Sequence, residues 1–323
     1  MSLEIAKLSK SHGNNWVLRD VDLLANEGRV LGICGGTASG KSTLLNAIAG
    51  HTKPNGGTVA LDDLDVTKIS AKHRDISLFT ARETAGLLDI LGFGSRKESS
   101  GERQIRALDD ALANAGKVLL LDDPFTQVDK YLRQECFAKV RRAARSREKI
   151  IVFASSDFGQ VAAVADDAAI LAGSTIIQTG TPQQIYEKPE MIDAARITGD
   201  NNLFEVRRLT STDAELPEFH TIDGGHRIFA QLGEKSRLPA INRNVMLAIR
   251  PEQISMSIGK SFPEDNLLRG IVTAIRFRGA TTVVEFDAAG LMLKVRVFRT
   301  VGLRIGDECM LGLPPHRILI LKD

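Results

Sequence analysis

The segment Gly35-Gly36-Thr37-Ala38-Ser39-Gly40-Lys41-Ser42-Thr43 follows an apolar run at 30–34 and leads into a helical pattern of Leu44, Leu45, Ala47 and Ile48. It fits G-x-x-x-x-G-K-[ST], and its flanks supply the strand and the helix that give the spacing meaning. The glycines let backbone N–H groups turn inward on phosphate oxygens. Lys41 brings a point charge, the Ser42 hydroxyl can ligate magnesium, and the helix N-terminus adds its dipole. A strand, such a turn and a helix belong to a parallel α/β sheet, whose ligands gather at the carboxyl ends of the strands.

Two further apolar runs, 118–121 and 150–154, end in small or acidic residues and have the same rhythm. The first ends in Asp122-Asp123, which puts a magnesium-directed carboxylate, Asp122, where nucleoside triphosphate chemistry wants one. After about Pro189 the pattern changes. Short alternating runs at 271–277, 282–286, 291–297 and 318–321, with turns at Arg278-Gly279, Ala289-Gly290 and Gly306-Asp307, predict a small β-barrel that begins within 201–243. At 323 residues the chain exceeds one ordinary core, so two domains are expected, 1–200 and 201–323.

Composition narrows the classes. With 43% hydrophobic and 25% charged residues the chain is globular, and no run approaches the length a membrane helix needs. The start, MSLEIAKLSK, lacks the apolar core of a secretory signal. Cys34, Cys136 and Cys309 have no CxxC spacing and are expected to be reduced core thiols. A net charge of +2 argues against nucleic acid as a partner. Arg141, Arg142, Arg145, Arg147 and Lys149 are expected to form a solvated helix face.

The chain resembles the ATP-binding subunits of ABC importers that carry a C-terminal TOBE module. The resemblance rests on Asp122-Asp123-Pro124-Phe125-Thr126-Gln127-Val128-Asp129, on Gly180-Thr181-Pro182-Gln183-Gln184-Ile185-Tyr186-Glu187-Lys188-Pro189 and on Ile249-Arg250-Pro251-Glu252-Gln253-Ile254, together with the phosphate loop. It implies a P-loop NTPase domain of ABC type followed by an OB-like β-barrel. It also implies ATP and Mg2+ as cofactors, and a place on the inner face of the membrane beside transmembrane permease subunits and an extracytoplasmic substrate-binding protein. In this family His12 stands where an aromatic ring stacks on adenine. Imidazole can stack, and His12 can equally be a plain surface residue.

ABC subunits pair head to tail, with ATP between the phosphate loop of one and the LSGGQ signature of the other. Here the signature position reads Glu98-Ser99-Ser100-Gly101-Glu102. Ser99 and Gly101 keep the pattern, whereas Ser100 replaces a glycine and Glu102 is expected to repel a γ-phosphate. Asp123 stands in place of the glutamate that polarises water, and a base misplaced by one methylene costs about a hundredfold or more in rate. Ser156 stands in place of the switch histidine and cannot carry its proton. Thr80 and Ala81 occupy the place of a glutamine that senses magnesium.

The interval from Lys41 to Ser99 is shorter by a few dozen residues than the family pattern. A shortened helical subdomain follows, with Leu87, Leu88, Ile90, Leu91 and Phe93 as one remaining amphipathic helix. These departures imply ATP binding with impaired hydrolysis and pairing with a second, catalytically complete ATPase subunit, a homodimer being the other arrangement. The alternative is a nucleotide-dependent regulatory module. The resemblance puts carbohydrate or polyol first among transported substrates, followed by polyamines and inorganic ions, and leaves the TOBE-like part regulatory or structural.

Overall fold

A computed structural model describes residues 1–80, 99–146, 149–209, 216–232, 238–259, 265–299 and 302–322. The chain divides into two compact units, Met1–Glu187 and Lys188–Asp323.

In the first unit, β1 (Ser2–His12), β2 (Asn15–Asn26), β4 (Gly56–Leu61) and β5 (Leu64–Asp65) form an antiparallel sheet in the order β2-β1-β4-β5. A second sheet carries β3 (Val30–Cys34), β6 (Ile76–Thr80), β7 (Val118–Asp122), β8 (Ile150–Ser155), β9 (Asp167–Ala172) and β10 (Thr175–Gly180), in the order β10-β9-β3-β8-β7-β6. All its pairings are parallel except that of β10 with β9. β3 and β8 are buried along their whole length and β7 along nearly all of it, as continuous apolar runs flanked by other layers should be.

Helix α1 (Lys41–Ala49) sets Leu44, Leu45, Ala47 and Ile48 into the core between the two sheets and ends on Gly50 in the left-handed region. Arg74 fastens that end. Its guanidinium donates to the carbonyls of Ile69 (2.9 Å), Ala47 (3.1 Å), Ile48 (2.6 Å) and Thr67 (2.7 Å). Beyond it come α2 (Ser100–Asn114), α3 (Lys130–Ser146), α4 (Phe158–Val164) and α5 (Pro182–Glu187). Helix α5 begins in a capping box: Thr181 N–H donates to Gln184 Oε1 (2.9 Å), and Gln184 N–H to Thr181 Oγ1 (3.2 Å). That reciprocity is the physical content of the G-T-P-x-x-I segment. Tyr186 then stacks on Phe158 of α4.

One expectation for the basic cluster is corrected. Arg141, Arg142 and Arg145 are exposed on α3, and Arg147 lies outside the described residues, but Lys149 is buried. Its ammonium reaches the carbonyls of Leu112 and Ala115 at the C-terminal end of α2, where the helix dipole favours a cation.

The second unit begins with α6 (Ile192–Thr198) and holds two antiparallel sheets. β11 (Asn202–Arg207), β12 (Glu218–Thr221), β13 (Arg227–Phe229), β14 (Asn244–Ile249) and β20 (Leu319–Leu321) run in the order β13-β12-β11-β14-β20. β15 (Ser255–Ser257), β16 (Asn266–Phe277), β17 (Thr282–Ala288), β18 (Leu291–Val297) and β19 (Glu308–Leu313) run in the order β15-β19-β16-β17-β18. Along β16, Leu268 and Val272 point inward while Leu267, Arg269 and Ile271 point out, the period-two alternation of a half-covered sheet. Phe204, Phe219, Phe286 and Leu311 fill the core.

The division falls ahead of the expected 200/201 junction because α6 is tied to this unit. Ala195 packs with Ala248 and Leu321, and buried Arg250 donates to Thr198 Oγ1 at 2.8 Å. Outermost β18 is closed by a side chain: Asn202 Nδ2 donates to the Lys294 carbonyl (2.8 Å), and Lys294 N–H to Asn202 Oδ1 (2.7 Å).

Glu218, its side chain 10% exposed, accepts from Arg227 at 2.7 and 3.0 Å and lies 2.9 Å from His220 Nε2. The Arg227 guanidinium holds this carboxyl below the ordinary carboxylate range, against the opposing pull of burial. A carboxylate depressed on folding stabilises above its unfolded pKa and loses that contribution as pH falls through the folded value. Amide-exchange protection of β12 should therefore drop on acidification from neutrality to about pH 3, and Glu218→Gln should lower it at neutral pH and flatten that acid limb.

Candidate functional site

Parallel registry brings the carboxyl ends of β3, β6, β7 and β8 together. Cys34 pairs with Ser155, Asp122 with Ala154, and Thr80 with Asp122. The residues that follow these strands therefore share one rim of the sheet, where ligands bind in such folds.

The phosphate loop leaves β3 at Gly35. A Cβ there would run into the Leu171 carbonyl and Ser39 Oγ. Residues 36–38 are exposed, and Ala38 sits at φ 62°. Gly40 takes φ 104° and opens α1 with no side-chain cap and no acidic residue in the first turn. The first N–H groups of a helix have no intrahelical partner, so this end is bare and positive. Lys41 Nζ donates to the Gly35 and Gly36 carbonyls, each at 2.9 Å, with its side chain nearly buried. Ser42 is exposed and Thr43 half-buried in the first turn. Cys34, buried just before the loop, has its thiol pushed up to about 12, chiefly by burial, with Lys41 pulling the other way, and it stays neutral.

Asp122 ends β7 half-buried. Asp123 turns into the left-handed region at φ 44° and donates its N–H to the Ala154 carbonyl at 3.0 Å. Its Oδ1 accepts from the Ser156 backbone N–H at 3.4 Å. The pair read as base and switch is thus brought together, through a backbone amide and without an imidazole. Ser156 is exposed. Asp157 caps α4 by accepting from Gly159 N–H at 2.8 Å.

The segment 99–102 starts α2 and packs on the loop after Asp123, where Gln104 Oε1 accepts from Gln127 N–H at 2.9 Å. Glu98, Ala81 and the helix expected from Leu87 to Phe93 lie outside the described residues. His12 pairs with Asn15 at the exposed tip of the β1–β2 hairpin. The residue missed there is Trp16, the chain's one tryptophan, 45% exposed with Arg19 over its ring at 5.8 Å. The carbonyl of adjacent Val17 lies 2.9 Å from where a Gly40 Cβ would be, so the hairpin abuts the phosphate loop. A lone exposed tryptophan next to a turn was the available signal.

The donor set fits magnesium nucleotide. A bare helix N-terminus, an ammonium and a glycine-formed cradle suit phosphates, while one hydroxyl and one carboxylate suit magnesium, which takes few protein ligands and fills its octahedron with water and phosphate oxygens. Among the described residues no cluster of three or more His, Cys, Asp or Glu gathers as a metal cage. No described helix is long and apolar enough to cross a membrane.

The ABC transporter family model matches residues 18–91, and the TOBE domain model residues 247–321. The Fe(3+) ions import ATP-binding protein FbpC 1 of Pectobacterium atrosepticum is 26% identical, covering 99% of this chain and 97% of that one. The spermidine/putrescine import ATP-binding protein PotA of Protochlamydia amoebophila is 28% identical over 85% of this chain and 83% of its own length. The sulfoquinovosyl glycerol transport ATP-binding protein SmoE of Agrobacterium fabrum is 24% identical, covering 98% and 96%. The chain thus carries an ABC transporter domain match and a TOBE domain match, and these relatives, similar over most of its length, are ATP-binding proteins of import and transport systems. Its phosphate loop is therefore that of a nucleotide-binding domain.

Proposed function

We propose that this chain captures Mg-ATP through residues 35–43 and Asp122 and, by itself, turns it over slowly. The observation that carries the proposal is the α1 N-terminus, left without a side-chain cap and faced by Lys41. Lys41 would leave the Gly35 and Gly36 carbonyls for phosphate oxygens, and Ser42 with Asp122 would hold magnesium. Mg-ATP, when bound, supplies the phosphoanhydride and its charge neutralisation. His12 or Trp16, at the hairpin beside the loop, offers a face for the base.

Slow turnover follows from residues 123 and 156. Asp123 is short, and its carboxylate accepts the Ser156 N–H, while Ser156 brings neither proton nor positive charge to a γ-phosphate. Pairing with a catalytically complete second subunit would supply what both positions lack. Transmembrane permease subunits, which would hold this chain at the inner face of the cell membrane, and an extracytoplasmic substrate-binding protein complete the system proposed here. The relatives' names cover ferric iron, polyamines and a sulfosugar glycerol, and a carbohydrate or polyol stays the first candidate for this one. Steady-state hydrolysis by the purified chain should stay below about 0.1 s⁻¹, a hundredfold under the usual enzyme median. Brisk turnover would overturn the assignment of Asp123 and Ser156. A regulatory module without transport is favoured by the short interval between Lys41 and Ser99, and co-purification from membranes with only soluble partners would support it over the transport subunit.

A further inference from the structure

Strands β9 and β10 are joined by only two residues, Gly173 and Ser174, with Ala172 paired to Thr175. So tight a turn sets both central residues in the left-handed region, at φ 54° for Gly173 and 71° for Ser174. Glycine meets that demand freely, whereas a side chain there crowds its own backbone, so serine is the costlier occupant of the second position. A strained residue persists where its surroundings hold it in place, and what it touches points to its role.

The contacts of Ser174 lie on the β1–β2 hairpin. Its hydroxyl donates to the Trp16 carbonyl at 2.9 Å, and its own carbonyl accepts from Arg19 N–H at 2.8 Å. The second bond would survive any side chain at this position, but the first needs the hydroxyl. The peptide so gripped, Trp16–Val17, leads straight into the Val17 carbonyl that borders Gly40, and β9 sets its Leu171 carbonyl against Gly35. The end of β9 and its turn therefore connect the entry of the phosphate loop to the hairpin beside its exit. The other arm of the hairpin is fixed separately: Ser11 N–H donates to Asn55 Oδ1 at 2.9 Å, and Asn55 N–H to the Ser9 carbonyl at 2.8 Å. Ser174 holds the arm that carries Trp16 and Arg19.

We propose that Ser174 is a positioning residue for the nucleobase: its hydroxyl fixes the β2 arm of the hairpin beside the phosphate loop, so that a base projecting from the loop meets a surface already in place. This rests on the reading of residues 35–43 as a nucleotide site. The phosphates, held by the loop itself, gain nothing from the tether. The base gains a platform whose ordering has been completed before it arrives.

Ser174→Gly removes the hydroxyl, suits a φ of 71° and leaves the carbonyl that holds Arg19, so the variant should fold and melt close to the parent. Calorimetric titration of the full chain should show Mg-ATP bound about fivefold more weakly by the variant, the effect of one lost hydrogen bond. Mg-tripolyphosphate, which offers phosphates without a base, should bind equally to both. Ser174→Ala keeps the strain and loses the tether, and should show the same selective loss. A turn with a merely structural role would shift both ligands or neither. Equal weakening of Mg-ATP and Mg-tripolyphosphate, or an unchanged Mg-ATP affinity in the two variants, overturns the proposal while the nucleotide reading stands. Failure of the unaltered chain to bind either ligand overturns the nucleotide reading and this proposal with it.

Discussion

Lys41→Ala should leave Trp16 emission flat on titration with Mg-ATP, whereas the unaltered chain should give a saturating change. Lys41 Nζ is nearly buried and already spans the Gly35 and Gly36 carbonyls at 2.9 Å, so its charge is held where phosphate oxygens would arrive. Removing it takes away an ammonium and its charge-assisted hydrogen bonds from a site whose other donors are neutral amides and a hydroxyl. The expected loss is at least about a hundredfold in affinity, or roughly 3 kcal/mol. The fold should survive, because α1 is anchored by Leu44, Leu45 and Ile48 rather than by the lysine. Trp16 serves as reporter because it is the single tryptophan, half exposed, on the hairpin whose Val17 carbonyl borders Gly40. An unchanged titration curve in the variant would remove the phosphate loop from the binding site.

Arg74→Met should cost the first unit its largest stability loss from a single polar position. Four carbonyls, those of Ala47, Ile48, Thr67 and Ile69, share one guanidinium, and the first two belong to the last turn of α1. Methionine fills part of the space without offering a donor, so buried acceptors at the negative end of a helix lose their partner. Burial lowers the pKa of Arg74, with Asp65 opposing, yet an arginine so placed remains charged. About 3 kcal/mol of destabilisation is expected, seen as a fall of roughly 6–12 °C in the melting transition of this unit by circular dichroism. Arg74→Lys should recover only part of it, since an ammonium cannot reach four carbonyls in a planar fork. A melting temperature within a degree or so of the parent would show that those carbonyls find water instead.

The phosphate loop was legible because every part of it is local: the strand, the glycines, the lysine and the helix follow one another without a gap. β3, β7 and β8 were legible as apolar runs, and β17 and β18 through their alternation between turn residues. Arg74 was not legible, because its partners are backbone carbonyls from two separate segments and nothing in the side-chain pattern marks a carbonyl. Lys149 was misread as part of a basic face for the same reason, its ammonium going to the carbonyls of Leu112 and Ala115. Ser99-Ser100-Gly101-Glu102 has the S-x-x-E spacing of a capping box, a local signal that the likeness to a nucleotide-contacting motif overshadowed. The geometry shows Glu102 folded back onto the Ser99 amide and hydroxyl, capping α2.

Asn202 has a consequence for the behaviour of the chain in a crowded solution. β18 is the outermost strand of its sheet, and an open strand border offers N–H and C=O groups to any extended segment that drifts past. At Lys294 both groups are taken by one carboxamide, which imitates a neighbouring strand for a single residue and then stops. A border interrupted in this way is a poor template for stringing copies together through their backbones.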